Sequence, residues 1–285
     1  MSEVTVIGLG NMGSALVRAY LENKHSVTVW NRSPKKAAPL VEMSAVLAPG
    51  AASAAAASPV VILCVTNYDA AQQILSANEA SFAGKLLIQL STGSPQEARS
   101  AEAWAQQYQV EYLEGKITGS PSSIGTPSAY ILLSGPEAIF RKAEPLLRVL
   151  SSKLDYKGAG IGLASAWDMV LIMHYYGMFL SLFHSVQICQ AESIPLEQFS
   201  SFLGEQGKGY EQWLCDNIRR DSYQETSAPL ELWAGGIQHI SQHAQVSGIN
   251  AEFPLFTAAL FQKAMQAGFG REEVSALYKV IRGKH

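Results

Sequence analysis

A glycine motif directly after the first strand-like run constrains the fold of this chain more than any other feature. The run "VTVI" leads into "GLGNMG" at positions 8–13, a G-x-G-x-x-G pattern, and the helix-forming stretch "SALVRAYLENK" follows it. In this context Gly8 allows the tight turn, Gly10 lets a pyrophosphate approach the backbone, and Gly13 lets the helix pack against the strand. The motif therefore predicts a dinucleotide-binding strand–turn–helix unit, with a Gly-rich structural turn as the alternative.

The sequence pattern changes near residue 160. Up to that point Ala-rich helical stretches, including the short helix predicted for "APGAASAAAASP", alternate with six strand-like runs: "VTVIG", "SVTVWN", "VVILCVT", "KLLIQLS", "VEYLEGKI" and "AYILLSG". This alternation predicts an α/β fold with a mostly parallel sheet. After "YKGAGIG" only helical spacing remains, with breaks near 207–209, 228–229, 248 and 268. We therefore expect a Rossmann domain at residues 1–160 and a helical part at residues 161–285.

The composition narrows the classes of partner. Charged residues make up 16% of the chain and the net charge is −3, so no broad basic surface for nucleic acid or an anionic membrane is indicated. Small molecules and other copies of the chain are the expected partners. The three cysteines, Cys64, Cys189 and Cys215, are far apart and form no CxxC, which argues against disulfides and a metal site and fits a reducing cytoplasm. We also expect a soluble protein without signal peptide or membrane span.

The end of the second predicted strand indicates which dinucleotide is bound. About 20 residues after a motif of this kind, an Asp or Glu would hold the ribose hydroxyls of NAD. Here the strand ends "VTVWNRSPKK", so that Asn31, Arg32 and Ser33, with Lys35 or Lys36 close behind, supply donors and positive charge for a 2′-phosphate. The sequence therefore predicts NADP(H), the alternative being a solvated basic turn.

Two further strand ends are expected to line the cofactor groove, because ligands bind at the carboxyl ends of strands in open α/β sheets. These are "CVTNYD" at 64–69 and "QLSTGSP" at 89–95. Thr92 is expected nearest the reacting carbon, although it could also be the N-cap of the following helix. The predicted cofactor-binding residues are Gly8, Leu9, Gly10, Asn11, Met12, Gly13, Asn31, Arg32, Ser33, Lys36, Cys64, Val65, Thr66 and Thr92.

Five segments together resemble the imine reductases and reductive aminases, which are NADPH-dependent relatives of the β-hydroxyacid dehydrogenases. They are "VTVIGLGNMG", "VWNRSPKK", "LSTGSPQEAR", "GSPSSIGTPSAYILLSGP" and the long apolar helix after "GAGIG", so that the likeness covers essentially the whole chain. The resemblance implies a Rossmann domain, a long interdomain helix, and an all-helical C-terminal domain exchanged with the partner in a homodimer. The active site would then be shared between subunits.

The long helix itself supports an oligomer. Between Gly162 and Glu192 the chain carries no Lys or Arg and, before Glu192, only one acidic residue, Asp168. A helix of some thirty residues spans about 45 Å, and its apolar surface on all sides argues for burial between subunits.

The same helix separates two possible chemistries. In the β-hydroxyacid dehydrogenases, as the resemblance implies, this helix carries a lysine that transfers a proton, but no Lys occurs here between Lys157 and Lys208. The aligned position lies at or near Ala166 to Asp168, and "TGSPSS" at 118–123 replaces the loop that binds the substrate carboxylate. Without such a cation, hydroxyacid chemistry is less favoured. A carboxylate instead suits an iminium ion, which needs a hydride donor beside its carbon and an anion near its nitrogen.

The resemblance also assigns roles within the site. Asp168 would hold or deprotonate the amine, or stabilise the iminium, and Tyr176, eight residues later, would donate to or orient the nitrogen. Helical spacing leaves the choice of tyrosine open, since Tyr175 shares a stripe with Asp168 whereas Tyr176 follows the i, i+4 row. The structural alternatives are an acid that favours the helix dipole and tyrosines buried in a core. The other expected pocket residues are Ser120, Tyr175, Trp213, Gln238 and His239.

We therefore expect an NADPH-dependent imine reductase that delivers hydride to the C=N carbon of cyclic imines, and of imines formed from a ketone and an amine. Asp168, Tyr176 and Thr92 are the expected catalytic residues. Two alternatives stay open. One is a β-hydroxyacid dehydrogenase with an altered acid residue, and the other is an NADP-binding protein without turnover.

Overall fold

The computed structural model of the chain describes residues 2–195, 198–199, 202–203, 213–214, 217–218, 220–224, 229–246 and 248–281. The backbone divides into two compact units, Met1–Met173 and His174–His285, and each is described by itself. The domain boundary expected near residue 160 stays a prediction.

The first unit is built on one sheet. Its strands are β1 Val4–Ile7, β2 Val27–Trp30, β3 Val46–Leu47, β4 Val60–Leu63, β5 Leu86–Gln89, β6 Glu111–Thr118, β7 Tyr130–Ser134 and β8 Lys153–Tyr156. They lie in the order β3-β2-β1-β4-β5-β6-β7-β8, and all neighbours run parallel except β6 and β7. The predicted α/β fold with a mostly parallel sheet is confirmed.

The central strands explain where a ligand can bind. Every residue of β1, β4 and β5 is buried, as expected for strands covered on both faces by helices. β2 is added on one side of β1 and β4 on the other, so the order in which strands are added to the sheet reverses at β1. Open α/β sheets bind ligands at such a switch point. The Gly8–Gly13 turn follows β1 directly and is therefore placed at this position.

Two of the eight strands were not among the six predicted runs. β3 has only two residues, both exposed, and a run of two residues is too short to indicate a strand. β8 alternates charged and apolar residues in "KLDY" and is only partly buried, as an edge strand can be. Both strands lie at the ends of the sheet, where the burial that marks a central strand is absent.

Helices cover both faces of the sheet. They are α1 Asn11–Glu22, α2 Ala38–Glu42, α3 Ala51–Ala56, α4 Tyr68–Ser76, α5 Glu79–Phe82, α6 Pro95–Gln107 and α7 Glu137–Leu150. One apolar cluster contains Leu16, Leu40 and Phe140 from α1, α2 and α7. The other contains Ala54, Leu75, Phe82 and Trp104 from α3, α4, α5 and α6. The predicted Ala-rich helix is α3.

The long helix α8 runs from Leu163 to Ala191, as the apolar stretch predicted, and carries residues of both units. The second unit also contains α9 Leu230–Val246, α10 Glu252–Gln266 and α11 Tyr278–Ile281. Gly248 and Gly268 have positive φ angles of 66° and 87° after α9 and α10, where breaks were predicted. The predicted break at 207–209 lies outside the described residues, as does Ala228. No helix among the described residues is long and apolar enough to cross a membrane.

Candidate active site

The glycine turn after β1 has the close packing that its motif predicts. Gly8 has a φ of +100°, and a Cβ there would lie 2.2 Å from the carbonyl oxygen of Cys64. A Cβ on Gly13 would lie 1.9 Å from the carbonyl oxygen of Gly8. A Cβ on Gly10, by contrast, would meet no protein atom within 4 Å. Two of the glycines therefore serve the packing of the turn, whereas Gly10 leaves space in front of it.

This space belongs to a groove along the carboxyl ends of β1, β2 and β4. The groove has a volume of about 410 Å³ and is lined by Gly8, Gly10, Asn11, Met12, Gly13, Trp30, Asn31, Arg32, Ser33, Lys36, Cys64, Val65, Thr66, Ala70, Gln73 and Ile74. The lining contains every predicted cofactor-binding residue except Leu9, which is buried, and Thr92. The N-cap residue of α1 is Gly10, and no side-chain hydrogen bond caps this helix among the described residues. The first amides of α1 are therefore available to an anion.

The residues that follow β2 have two different roles, one structural and one electrostatic. The Asn31 side chain is held by backbone: its Oδ1 accepts from the Leu9 amide at 3.0 Å, and its Nδ2 donates to the Ser33 carbonyl at 3.0 Å. Arg32, Ser33 and Lys36 are exposed along the groove. The donors left for a phosphate on the ribose are therefore those of Arg32, Ser33 and Lys36, and Asn31 shapes the turn that presents them.

A second cavity of about 630 Å³ continues from the same turn. Gly10, Asn11 and Lys36 line both cavities, and Arg18 and Lys35 add two more cations to the second. The region around the end of β2 is therefore positively charged on both sides.

The ends of β4 and β5 are tied together beside the groove. The Val65 amide donates to Ser91 Oγ at 3.0 Å. Cys64 keeps its proton, because burial raises the pKa of its thiol to about 11. Thr92 is exposed in the loop that follows Ser91. The alternative that Thr92 caps α6 is wrong, since Ser94 is the N-cap and exchanges hydrogen bonds with Glu97 in a capping box.

Asp168 lies partly buried on α8, beyond the first turn of the helix. The role of an acid that merely favours the helix dipole is taken by another residue, Glu114. Its Oε2 accepts from the Gly162 amide and from Ser134 Oγ, each at 2.7 Å, and its Oε1 accepts from the Ser165 amide at 3.1 Å and from the Ser165 hydroxyl. The strand β6 thus fixes the start of α8.

Burial raises the pKa of Asp168. The charge of Lys116 acts in the opposite direction and lowers it, while the charge of Glu114 raises it further. The carboxylate is thus more basic than an exposed aspartate and can exchange a proton with an amine more readily.

Lys116 is the residue that the sequence interpretation missed. It is 3% exposed on β6, and its Nζ donates to the Ser91 carbonyl at 2.6 Å. The long helix indeed carries no lysine, but the sheet supplies a buried cation whose charge acts on Asp168. A lysine within the apolar strand "VEYLEGKI", in phase with Glu114, was the signal that could have found it.

The other expected pocket residues are only partly described. Ser120 is exposed in the loop after β6, and its Oγ lies 2.7 Å from Ser122 Oγ. In the second unit, Trp213 and Gln238 are exposed. The side chains of Tyr175, Tyr176 and His239 lie outside the described part of the structure, so Tyr176 as the second catalytic group stays a prediction.

Known proteins match both parts of the chain. Residues 3–158 match the family described as the NAD binding domain of 6-phosphogluconate dehydrogenase. Residues 160–283 match the family described as NADPH-dependent reductive aminase-like, C-terminal domain. An NADPH-dependent reductive aminase of Aspergillus oryzae is 28% identical over 98% of this chain and 97% of its own length.

Solved structures resemble the chain over its whole length. An imine reductase from Myxococcus stipitatus in complex with NADP+ is 31% identical with a TM-score of 0.93, covering 98% of this chain and 100% of that one. A reductive aminase from Aspergillus terreus in complex with NADPH4, cyclohexanone and allyl amine is 32% identical with a TM-score of 0.90, covering 99% of both chains.

Proposed function

The chain belongs to the family of NADPH-dependent imine reductases and reductive aminases, and we propose that it transfers hydride from NADPH to the carbon of a C=N bond. The observation that carries this proposal is a partly buried carboxylate, Asp168, on a long apolar helix without Lys or Arg. A carboxylate placed there complements a cationic C=N group and would repel a substrate carboxylate.

The groove fits NADP(H) by its shape and its charge. The open space in front of Gly10 leaves room for a pyrophosphate beside the first amides of α1. Arg32, Ser33 and Lys36 would hold the 2′-phosphate, and the Asn31 carboxamide would fix the turn that carries them. Bound in this groove, the cofactor supplies the hydride.

Asp168 would act on the nitrogen of the substrate. An iminium ion is already protonated, so its reduction needs no acid, and the carboxylate stabilises the positive charge on the nitrogen. The raised pKa of Asp168 also lets it accept a proton from an ammonium-form amine, which can then condense with a ketone. Tyr176 would donate a hydrogen bond to the same nitrogen, and Thr92 would lie beside the reacting carbon.

The test is NADPH oxidation, followed by absorbance, with three substrates: a small cyclic imine, a ketone supplied with an amine, and a semialdehyde, which is the 3-oxo acid that reduction converts to a 3-hydroxyacid. We expect turnover with the first two. Asp168→Asn should lower kcat/KM for the imine by about 10²–10³-fold, as expected for the loss of one charge-stabilising group. Asp221→Asn, which changes an exposed aspartate in the second unit, is the matched control and should leave kcat/KM unchanged.

Two outcomes would contradict the proposal. Turnover of the semialdehyde and not of the imine would assign the chain a β-hydroxyacid dehydrogenase activity. Tight NADPH binding without turnover on any of the three substrates, unchanged in Asp168→Asn, would indicate an NADP-binding protein without catalysis.

A cytoplasmic homodimer with an active site shared between subunits is part of the same proposal. Its support is the large apolar side chains that the single chain leaves exposed on α8, α9 and α10: Trp167, Met169, Val170, Met178, Leu232, Trp233, Leu255 and Phe256. Light scattering should give twice the 30.8 kDa mass of the chain. A monomer that turns over imine at full rate would rule out the shared site.

A further inference from the structure

Lys116 is a buried cation near the carboxyl end of β6, and it contacts residues from two neighbouring segments. Its ammonium donates to the Ser91 carbonyl at 2.6 Å and lies 3.5 Å from the Tyr68 hydroxyl. It also lies 4.7 Å from the centroid of the Tyr68 ring. Ser91 in turn accepts from the Val65 amide, which lines the groove. The lysine therefore reaches from β6 to the end of β5, which is tied through Ser91 to the strand end that lines the groove.

Burial of a lysine is costly unless opposite charges compensate for the lost hydration. Burial lowers the pKa of Lys116, and the charges of Glu114, Asp168 and Glu97 oppose this effect. Glu114 stands two residues before Lys116 and so on the same face of β6, and it accepts from the amide and hydroxyl of Ser165 on α8. Asp168 stands three residues after Ser165 and therefore on the same face of α8, the face that meets Glu114. The ammonium is thus within electrostatic reach of Glu114, Asp168 and Glu97.

Of these carboxylates, Glu114 has no oxygen left to accept a further hydrogen bond. Its two oxygens already accept from two backbone amides and two hydroxyls at the start of α8. Its negative charge nevertheless acts on Asp168 and disfavours the ionised form, in the same direction as burial. Lys116 is the cation that counteracts both effects.

We propose that Lys116 is a positioning residue for imine reduction, whose buried ammonium keeps Asp168 ionised and holds the end of β5 at the groove. The proposal rests on the function proposed for Asp168. A protonated Asp168 has no charge with which to stabilise an iminium, so the ammonium acts on the substrate through the aspartate and not by direct contact.

The neighbouring phenols do not compete for this role. Tyr68 from α4 and Tyr112 from β6 face the ammonium region with their hydroxyls 3.4 Å apart. Burial raises the pKa of both phenols, so they stay neutral over the range in which aspartate titrates. Glu97 is held by Ser94, which lowers its pKa, so it stays ionised. The charge of Lys116 also lowers the pKa of Glu97, but the hydrogen bonds from Ser94 have the larger effect. For Asp168, by contrast, Lys116 is the group that lowers the pKa against burial and Glu114, so Asp168 should respond more strongly to its loss.

The first experiment is the pH profile of kcat/KM for a cyclic imine. Without Lys116, burial and Glu114 act on Asp168 unopposed, so its pKa rises and activity is lost at a higher pH as the solution is acidified. Lys116→Met should move the acid limb upward by about one pH unit, the lower end of the effect of a nearby opposite charge. Lys116→Arg keeps the charge and should leave the limb near that of the wild type. Lys153→Met, the same change at an exposed lysine on β8, is the control.

A purely structural role would give a different result. Both Lys116→Met and Lys116→Arg would then lower the melting temperature and kcat without moving the limb, and this outcome would overturn the proposal. Lys116→Gln can still donate to the Ser91 carbonyl but is neutral, so it replaces Lys116→Met if the methionine variant does not fold.

The second experiment needs no turnover. Carbon-13 NMR of aspartate carboxyl groups, with Asp168 assigned from its absence in Asp168→Asn, measures the titration of Asp168 directly. We expect its midpoint to rise by about one pH unit in Lys116→Met. An unchanged midpoint would overturn the inference even if the protein reduces imines, and a shifted midpoint would support it even if imine reduction itself were disproved.

Discussion

Replacement of Glu114 by glutamine tests how the sheet fixes α8. One oxygen of the carboxylate accepts from the Gly162 amide and the Ser134 hydroxyl, and the other accepts from the amide and hydroxyl of Ser165. A glutamine places an amide nitrogen at one of these two positions. Whichever way the glutamine points, one buried backbone amide loses its acceptor.

The size of the effect follows from these contacts. An unsatisfied buried donor costs about 1–3 kcal/mol, and the remaining hydrogen bonds weaken because the acceptor is no longer charged. Removal of a buried charge recovers some desolvation energy, but it also leaves Lys116 without its neighbour. We expect a net loss of about 2–4 kcal/mol. For a unit the size of Met1–Met173 this corresponds to a fall in melting temperature of about 4–16 °C.

The assay is thermal unfolding together with hydrogen exchange. Glu111→Gln is the control, because it makes the same change on the same strand at an exposed ion pair with Lys142, which contributes at most about 1 kcal/mol. In Glu114→Gln the amides of Gly162 and Ser165 should also exchange faster, and in the control they should not. A melting temperature for Glu114→Gln equal to that of Glu111→Gln would refute this account of the start of α8.

Three further predictions concern the groove and α6. Gly10→Ala should bind NADPH at least tenfold more weakly, with nearly unchanged stability. Gly13→Ala should unfold at a clearly lower temperature, because its Cβ would lie 1.9 Å from a carbonyl oxygen. Equal melting temperatures for the two variants would contradict this prediction. Arg32→Ala should raise KM for NADPH about tenfold or more and leave KM for NADH unchanged, and a parallel loss with both cofactors would exclude a phosphate contact. Ser94→Ala should cost about 1 kcal/mol in a melting experiment. Since Ser94 lowers the pKa of Glu97 from 4.5, wild-type stability should fall as pH drops through the lowered pKa, and this acid-side loss should be smaller in Ser94→Ala.

The sequence predicted the parts of the fold that follow from local patterns. The buried runs of β1, β4 and β5, the glycine turn and the length of α8 are each encoded in a continuous stretch of chain. β3 and β8 were missed because an edge strand of two residues, or one of alternating polarity, depends on its neighbour for its conformation.

The site was predictable where a residue acts through its position after a strand, and not where it acts through a distant partner. Arg32 and Ser33 follow β2 and line the groove as the pattern indicated. The Asn31 carboxamide, however, is used by the backbone of Leu9 and Ser33, which only the folded turn reveals. Lys116 likewise meets Ser91 across 25 positions of sequence, so the lysine-free helix gave an incomplete picture of the charge near Asp168.

The two edges of the sheet also limit how copies of this chain can associate. β3 offers only two residues for pairing, and β8 carries Asp155, which accepts from the Tyr130 hydroxyl and forms an ion pair with Lys157 at 2.7 Å. Short and charged edges discourage the addition of a strand from another molecule. Continuous sheets across a dimer are therefore disfavoured, and so is fibre-like stacking at high concentration. A pair of subunits would have to meet through helical surfaces.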